Sequence, residues 1–236
     1  MKLINILFPQ GVKCLLCGVE VNDKPICEDC YNNLPIIKDH ICSICGGKVL
    51  GVGEVCFDCM NYSNTYKKCF TFIEYKDDFK RLILSYKNGN KRFLVKLFSY
   101  LLLERFKTID IPFDVIIPVP CSNERLKERG FNHVEEMIED IKSYYGRVHT
   151  SILQRIKYTP HQTGLGREYR VENLNGAFKV IDKTKVKNRI VLLVDDIYTT
   201  GATMNECAKT LYNAGASEVY GLTLARTTDS LENTIQ

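Results

Sequence analysis

Eight of the chain's 11 cysteines stand in four C-x-x-C pairs, Cys14/Cys17, Cys27/Cys30, Cys42/Cys45 and Cys56/Cys59, all within the first 59 of 236 residues. Intervals of 9, 11 and 10 residues separate successive pairs. That spacing suits tetrahedral Zn²⁺ held by four thiolates, two from each of two turns. Eight thiolates fill two such sites and leave no open coordination position, so two structural Zn²⁺ ions are expected. A stretch of about 50 residues has no room for a large core and folds only with such a staple. Cys14-Leu15-Leu16-Cys17-Gly18 and Cys42-Ser43-Ile44-Cys45-Gly46 share a trailing glycine that the other two pairs lack. The alternation favours two consecutive ribbons, first pair with second and third with fourth, over interleaved pairing. A disulfide framework is the competing reading, but it belongs to short secreted chains. Here the start, Met1 to Pro9, is apolar for only six residues and has no small-residue cleavage site. A cytoplasmic protein is expected.

The cysteine pattern stops near residue 62, giving a double zinc ribbon over 1–62 and a larger domain over 63–236, with a linker around Asn61-Tyr62-Ser63-Asn64. Hydrophobic residues at 45% and charged residues at 25% are the proportions of a soluble globular protein, not of a disordered one. The richest apolar run, Phe93 to Phe106, is broken by Lys96 and flanked by Glu104 and Arg105, too short and too charged to span a bilayer. It reads as a buried helix over about 91–106. Lys68 to Tyr75 alternates as a strand, and Phe79, Leu82, Ile83 and Tyr86 fall on one face of a helix ended by Asn88-Gly89. Asp114 to Pro118 reads as a short buried strand, followed by a polar loop and one helix carrying Val134, Met137, Ile138 and Ile141. Phe178 to Ile181, Arg189 to Asp195 and Glu218 to Ala225 are further strands, with a helix between the last two that buries Met204, Cys207, Ala208 and Leu211. Strands alternating with helices predict an α/β fold, a mainly parallel sheet with helices on both faces.

The segment Val191-Leu192-Leu193-Val194-Asp195-Asp196-Ile197-Tyr198-Thr199-Thr200-Gly201-Ala202-Thr203 carries the chemistry. A buried strand delivers two adjacent carboxylates at its C-terminal end, where α/β sheets bind ligands, and a short Thr/Gly loop then opens a helix. Helix N-terminal amides with the hydroxyls of Thr199, Thr200 and Thr203 suit a phosphate dianion, and Gly201 permits close approach. Carboxylates beside a phosphate need donors or a cation to face, which ribose hydroxyls or Mg²⁺ would supply. Because both stand at a strand end, replacing Asp195 and Asp196 together is expected to remove binding and spare the fold. A hydrophobic strand with an acidic turn and a capped helix is the bland alternative, but it needs neither the double Asp nor three threonines.

This segment resembles the motif by which type I phosphoribosyltransferases bind phosphoribosyl pyrophosphate (PRPP). The resemblance implies that Asp195 and Asp196 hold the ribose hydroxyls and act at the catalytic centre, while Thr199, Thr200, Gly201, Ala202 and Thr203 cradle the 5′-phosphate. Purine salvage members often carry Asp where Thr199 stands, so purine-base salvage is not the expected activity. With the paired cysteine knuckles, Ile117-Pro118-Val119-Pro120, Arg125 to Asn132, Thr159 to Leu165 and Arg167 to Phe178, nearly the whole chain resembles the ComF family, ComFC type, in which a double zinc ribbon precedes a phosphoribosyltransferase-like domain and which is linked to DNA uptake in competent bacteria. By the same resemblance the turn Val119-Pro120-Cys121 offers backbone amides to pyrophosphate, and Gln162, Arg167 and Arg170 match the family's pattern in a lid. Arg125 and Arg129, four apart, fall on one helical face and could bind phosphate oxygens, a solvated charged turn being the alternative. Residues 142–170 hold six Lys/Arg against Glu168 alone, a basic stretch that Gly164 and Gly166 could hinge over pyrophosphate. His161 is the one histidine there placed for acid/base work.

Two functions follow. One is an enzyme that transfers phosphoribose from PRPP to an acceptor and releases pyrophosphate with the assistance of Mg²⁺; the other is a non-catalytic adaptor in DNA uptake, with competence proteins as partners, that binds PRPP or single-stranded DNA. Residues 1–62 hold 5 Lys/Arg against 7 Asp/Glu, so the chain's net +4 resides in the second domain, and DNA would meet that domain and not the ribbons.

Overall fold

A computed structural model describes residues 12–89, 91–157 and 167–227. Its centre is a four-stranded sheet in the order β3 (Cys69–Glu74), β8 (Glu218–Arg226), β7 (Ile190–Tyr198), β4 (Val115–Pro118). Every neighbouring pair is parallel. The apolar run from Val191 to Val194 is buried throughout because helices lie over both of its faces.

One face is covered by α9 (Ala202–Asn213), the two-stranded ribbon of β5 (Leu153–Arg155) with β6 (Phe178–Val180), and the second cysteine knuckle. Met204, Cys207, Ala208 and Leu211 of α9 recur at helical spacing and are all buried. The opposite face carries α3 (Asp77–Lys87), α4 (Val95–Lys107), α6 (His133–Met137), α7 (Glu139–Tyr145) and the first knuckle. α3 buries Phe79, Ile83 and Tyr86. Short elements complete the chain: β1 (Val12–Lys13), β2 (Glu20–Val21), α1 (Glu28–Asn32), α2 (Phe57–Asn61), α5 (Asn123–Arg129) and α8 (Arg167–Leu174).

The helix expected across Val134 to Ile141 is two helices. Ile138 leaves helical geometry at φ −100°, ψ 9°, and the Asp140 N–H donates to Ser99 Oγ at 3.0 Å instead of continuing the helical ladder. A side chain from α4 inserted at that rung bends the helix, which periodicity within the segment does not encode. The polar loop before it contains α5, capped by Ser122 Oγ accepting from the Arg125 N–H. β7 does not end at Asp195; it stays paired with β8 through Ile197↔Ala225 and Tyr198↔Arg226.

An unpaired sheet edge invites aggregation, and the knuckles cover the edge at β3. Ile36 bridges Ile73, the Ile37 N–H donates to Phe72 O at 2.9 Å, and the Cys69 N–H donates to Ile44 O at 2.7 Å. The Thr71 hydroxyl adds a bond to Cys45 O. Just past the expected linker, Asn61 to Asn64, the chain docks on the larger domain: the Thr65 N–H donates to Asn205 Oδ1 of α9 at 2.7 Å, and Tyr66 is 4% exposed. Among the described residues no helix is long and apolar enough to cross a membrane.

Candidate phosphate site and metal centres

The Thr/Gly loop follows β7 directly. Gly201 sits at φ 76° as the residue before α9, a left-handed conformation natural to glycine, and an added Cβ would collide with the Tyr198 hydroxyl beneath it. Thr200 Oγ1 accepts from the Ala202 N–H at 3.4 Å. Asp195, Thr199, Gly201 and Thr203 line one small cleft with Thr223 from the adjacent strand. Asp195 Oδ1 accepts the Asp196 N–H at 2.9 Å. Burial, and then the charge of Asp196, push the Asp195 carboxyl up to about 8.

Adjacent residues of a strand point to opposite faces, and because β7 continues past Asp196 the two carboxylates part. Asp196 is 5% exposed and meets Lys87 Nζ of α3 and His133 Nε2 of α6, the latter at 2.8 Å. Burial alone would raise its carboxyl, but Lys87 and then His133 outweigh that and hold it well below the usual carboxylate range. Arg129 Nη1 lies 3.2 Å from His133 Nδ1. A guanidinium has only donors, so Nδ1 accepts and the ring proton on Nε2 is donated to Asp196. A chain Arg129→His133→Asp196 thus ties the end of α5 to the sheet. Asp196 is a core group, so the expectation that both carboxylates can be replaced without cost to the fold does not hold. Asp196→Ala leaves Lys87, whose side chain is 15% exposed, without its counter-charge, and is expected to cost about 3–5 kcal/mol, read as a lowered urea midpoint against Asp195→Ala.

Three arginines gather beside this strand end. Arg125 and Arg129 lie four apart on α5, as expected from the sequence. Arg155 of β5, its guanidinium 5.8 Å from the Phe178 ring centroid, is the third. Burial and then Arg125 lower the pKa of both Arg129 and Arg155, and Asp195 and Cys121 also act on Arg155. Like charges partly withdrawn from water and within reach of one another are what an anion site requires.

The turn from β4 divides its amides. The Val119 N–H donates to Val194 O at 2.8 Å, and Pro120 has no N–H, so of these three residues only Cys121 has an amide to offer a ligand. Burial, then Glu135, pushes the Cys121 thiol up, which withdraws it from nucleophilic chemistry. Cys69, raised to about 12 by burial, and Cys207, also raised by burial, are core residues. Gln162, His161 and the two lid glycines lie outside the described residues; Arg167 and Arg170 belong to α8.

The cysteines form two consecutive sets, Cys14/Cys17/Cys27/Cys30 and Cys42/Cys45/Cys56/Cys59, each with its sulfurs within 4.8 Å of one another. Cys17 and Cys27 sulfurs are 3.6 Å apart, as are those of Cys45 and Cys56. Tetrahedral Zn²⁺ with bonds of about 2.3 Å places its sulfurs about 3.8 Å apart, so both sets fit the metal. Their mutual hydrogen bonds drive Cys42 down and Cys45 up, and a divalent cation is what lets all four ionise together. Gly46, at φ 71°, lets the second knuckle press on the backbone of Cys69 and Thr71.

Residues 3–60 match the double zinc ribbon domain and residues 101–234 the phosphoribosyl transferase domain. Competence protein ComFC of Streptococcus pneumoniae is 30% identical over 91% of this chain and 100% of its own length. The chain belongs to the ComF family. Competence protein F of Haemophilus influenzae is 28% identical over 85% of this ComF chain and 96% of its own. DNA utilization protein YhgH of Escherichia coli is 27% identical over 91% and 90% respectively. The larger part of this ComF protein therefore has the phosphoribosyltransferase fold, with a zinc-ribbon module closing one edge of its sheet.

Sequence reading of the ComF chain missed Lys87 and His133, and counted Arg155 only among the six cations of the basic stretch 142–170. The first two stand far from Asp196 in sequence and are joined to it only by the packing of α3 and α6 on one sheet face. Arg155 is a single cation in a short strand. One signal was available: a two-residue period carried past Asp196 separates the paired carboxylates.

Proposed function

We propose that this ComF-family chain binds PRPP with Mg²⁺ and serves DNA uptake or utilisation, a reading supported by relatives named for competence and for DNA utilization. The observation that carries the reading is the juxtaposition of an anion-ready loop, Thr199 to Thr203 at the start of α9, with Arg125, Arg129 and Arg155 beside Asp195. In this arrangement the loop amides and threonine hydroxyls receive the 5′-phosphate, Asp195 accepts from the ribose hydroxyls, and the arginines face the pyrophosphate. Mg²⁺ supplies charge neutralisation on the pyrophosphate oxygens. Transfer, where an acceptor is bound, forms a bond from the acceptor's nucleophile to C1 of the ribose and breaks the C1–O bond, the electron pair leaving on pyrophosphate. The arginines stabilise that growing charge. Asp196 contributes by holding His133 and, through it, Arg129.

Calorimetric titration of zinc-loaded protein with PRPP and Mg²⁺ tests this. One-site binding that pyrophosphate and ribose 5-phosphate each compete away is the expected result. Binding of neither PRPP nor pyrophosphate would contradict it.

A further inference from the structure

Arg226, the last residue of β8, is 3% exposed and stands between the second metal centre and the phosphate loop. Its Nη2 donates to Cys56 Sγ at 3.6 Å and to Asp58 Oδ2 at 3.5 Å. Its guanidinium lies 4.8 Å from the centroid of the Tyr198 ring. Gly47 leaves room for it, since a Cβ there would collide with the arginine side chain. Tyr198 in turn closes β7; its hydroxyl is 2.7 Å from that of Tyr66 and lies directly under Gly201. The first centre packs into the core of the opposite sheet face.

We infer that Arg226 and Tyr198 are positioning residues that transmit the geometry of the Cys42/Cys45/Cys56/Cys59 centre to the phosphate loop, so that this centre, and not the first, sets the affinity for the 5′-phosphate. The inference rests on the phosphate-site reading above. A metal fixes the position of Cys56 Sγ, and an N–H···S bond to a fixed sulfur orients its donor as outer partners orient metal ligands elsewhere. A buried guanidinium moves only as far as its anions allow. Stacked on it, the Tyr198 ring holds its hydroxyl at the one height that a glycine at 201 tolerates, and the loop amides rest on that floor.

The test is calorimetric titration with PRPP and Mg²⁺ of full-length, zinc-loaded wild type, Arg226→Gln, Arg226→Lys and Tyr198→Phe, with zinc content and melting temperature measured on each. Arg226→Gln is expected to weaken PRPP binding about tenfold, equivalent to ~1.4 kcal/mol, with zinc content equal to that of wild type. Arg226→Lys, which keeps a cation over the ring, recovers most of the loss. Tyr198→Phe keeps the buried ring, so it folds even where Arg226→Gln does not, and weakens binding by severing the bond to Tyr66. A purely architectural role would lower the melting temperature and leave the dissociation constant untouched. Wild-type affinity in both Arg226→Gln and Tyr198→Phe, or in Tyr198→Phe alone where the glutamine variant loses zinc, overturns the inference. Failure of wild type itself to bind PRPP overturns the phosphate-site reading, and the inference with it.

Discussion

Asp195→Asn is expected to lose about 100-fold in PRPP affinity, the equivalent of two charge-assisted hydrogen bonds at roughly 1.5 kcal/mol each, and to melt at a higher temperature than wild type. Both effects come from one carboxyl. Burial and the neighbouring Asp196 push it up to about 8, so the folded chain retains a proton that the unfolded chain releases near the ordinary aspartate value of about 4. Stability falls wherever the native state binds more protons than the unfolded one. Asp195 therefore costs the wild type stability progressively as pH rises from about 4 to about 8, and the full cost persists above that. Asparagine has no charge to bury, so its advantage in melting temperature grows through the same window and then levels.

Binding runs the other way. Ribose hydroxyls need an acceptor, and the ionised acceptor is populated as pH rises towards 8, so wild-type affinity climbs with pH relative to the asparagine variant. Ionisation of the ligand is common to both proteins and cancels in the ratio. Calorimetry and thermal melts at pH 6, 7, 8 and 9 measure the two trends together. Parallel affinity profiles, or an asparagine variant less stable than wild type at pH 8, would remove Asp195 from the site.

Loss of the second metal centre is the other large effect. Cys45→Ser is expected to lose one zinc and the cooperative fold with it, since apparent zinc affinities of about 10–16 kcal/mol rival the whole stability of a domain, about 5–15 kcal/mol. Cys42, Cys45, Cys56 and Cys59 share one buried core with Val191, Leu193 and the inner face of α9. Without metal that core holds four crowded thiols beside β3 and the end of β8. In the first set only Cys14 is buried, against the other layer, while Cys17 is exposed and Cys27 and Cys30 are half-buried. Cys17→Ser should lose its own zinc and keep a sheet that melts cooperatively, a few degrees lower. Elemental analysis with far-ultraviolet circular dichroism melts separates the two cases. Equal damage from both substitutions would deny the asymmetry between the centres.

The elements that follow a local period were legible in the sequence. α3, α9 and β3 lie where the spacing of Phe79/Ile83/Tyr86, Met204/Cys207/Ala208/Leu211 and the alternating run placed them, and β7 begins where its apolar run does but continues past Asp195 to Tyr198. Paired cysteines at matched intervals placed both metal sets. What local period does not carry is contact across the sheet. Ser99 breaks a helix from another helix, and Lys87 and His133 turn Asp196 into a core anion from two separate elements. Arg226 reaches a knuckle 168 residues earlier in the chain. The site was legible as a loop and a carboxylate; its cations and its floor depend on which segments the fold lays side by side.

A crystal structure of the zinc-loaded protein with PRPP and Mg²⁺ would locate the ligand. The 5′-phosphate is expected on the amides of residues 200–203, Asp195 against the ribose hydroxyls, and the pyrophosphate beside Arg125, Arg129 and Arg155, with Asp196 still paired to Lys87 and His133. A ligand bound elsewhere, or a loop left empty at saturating PRPP, would contradict that placement.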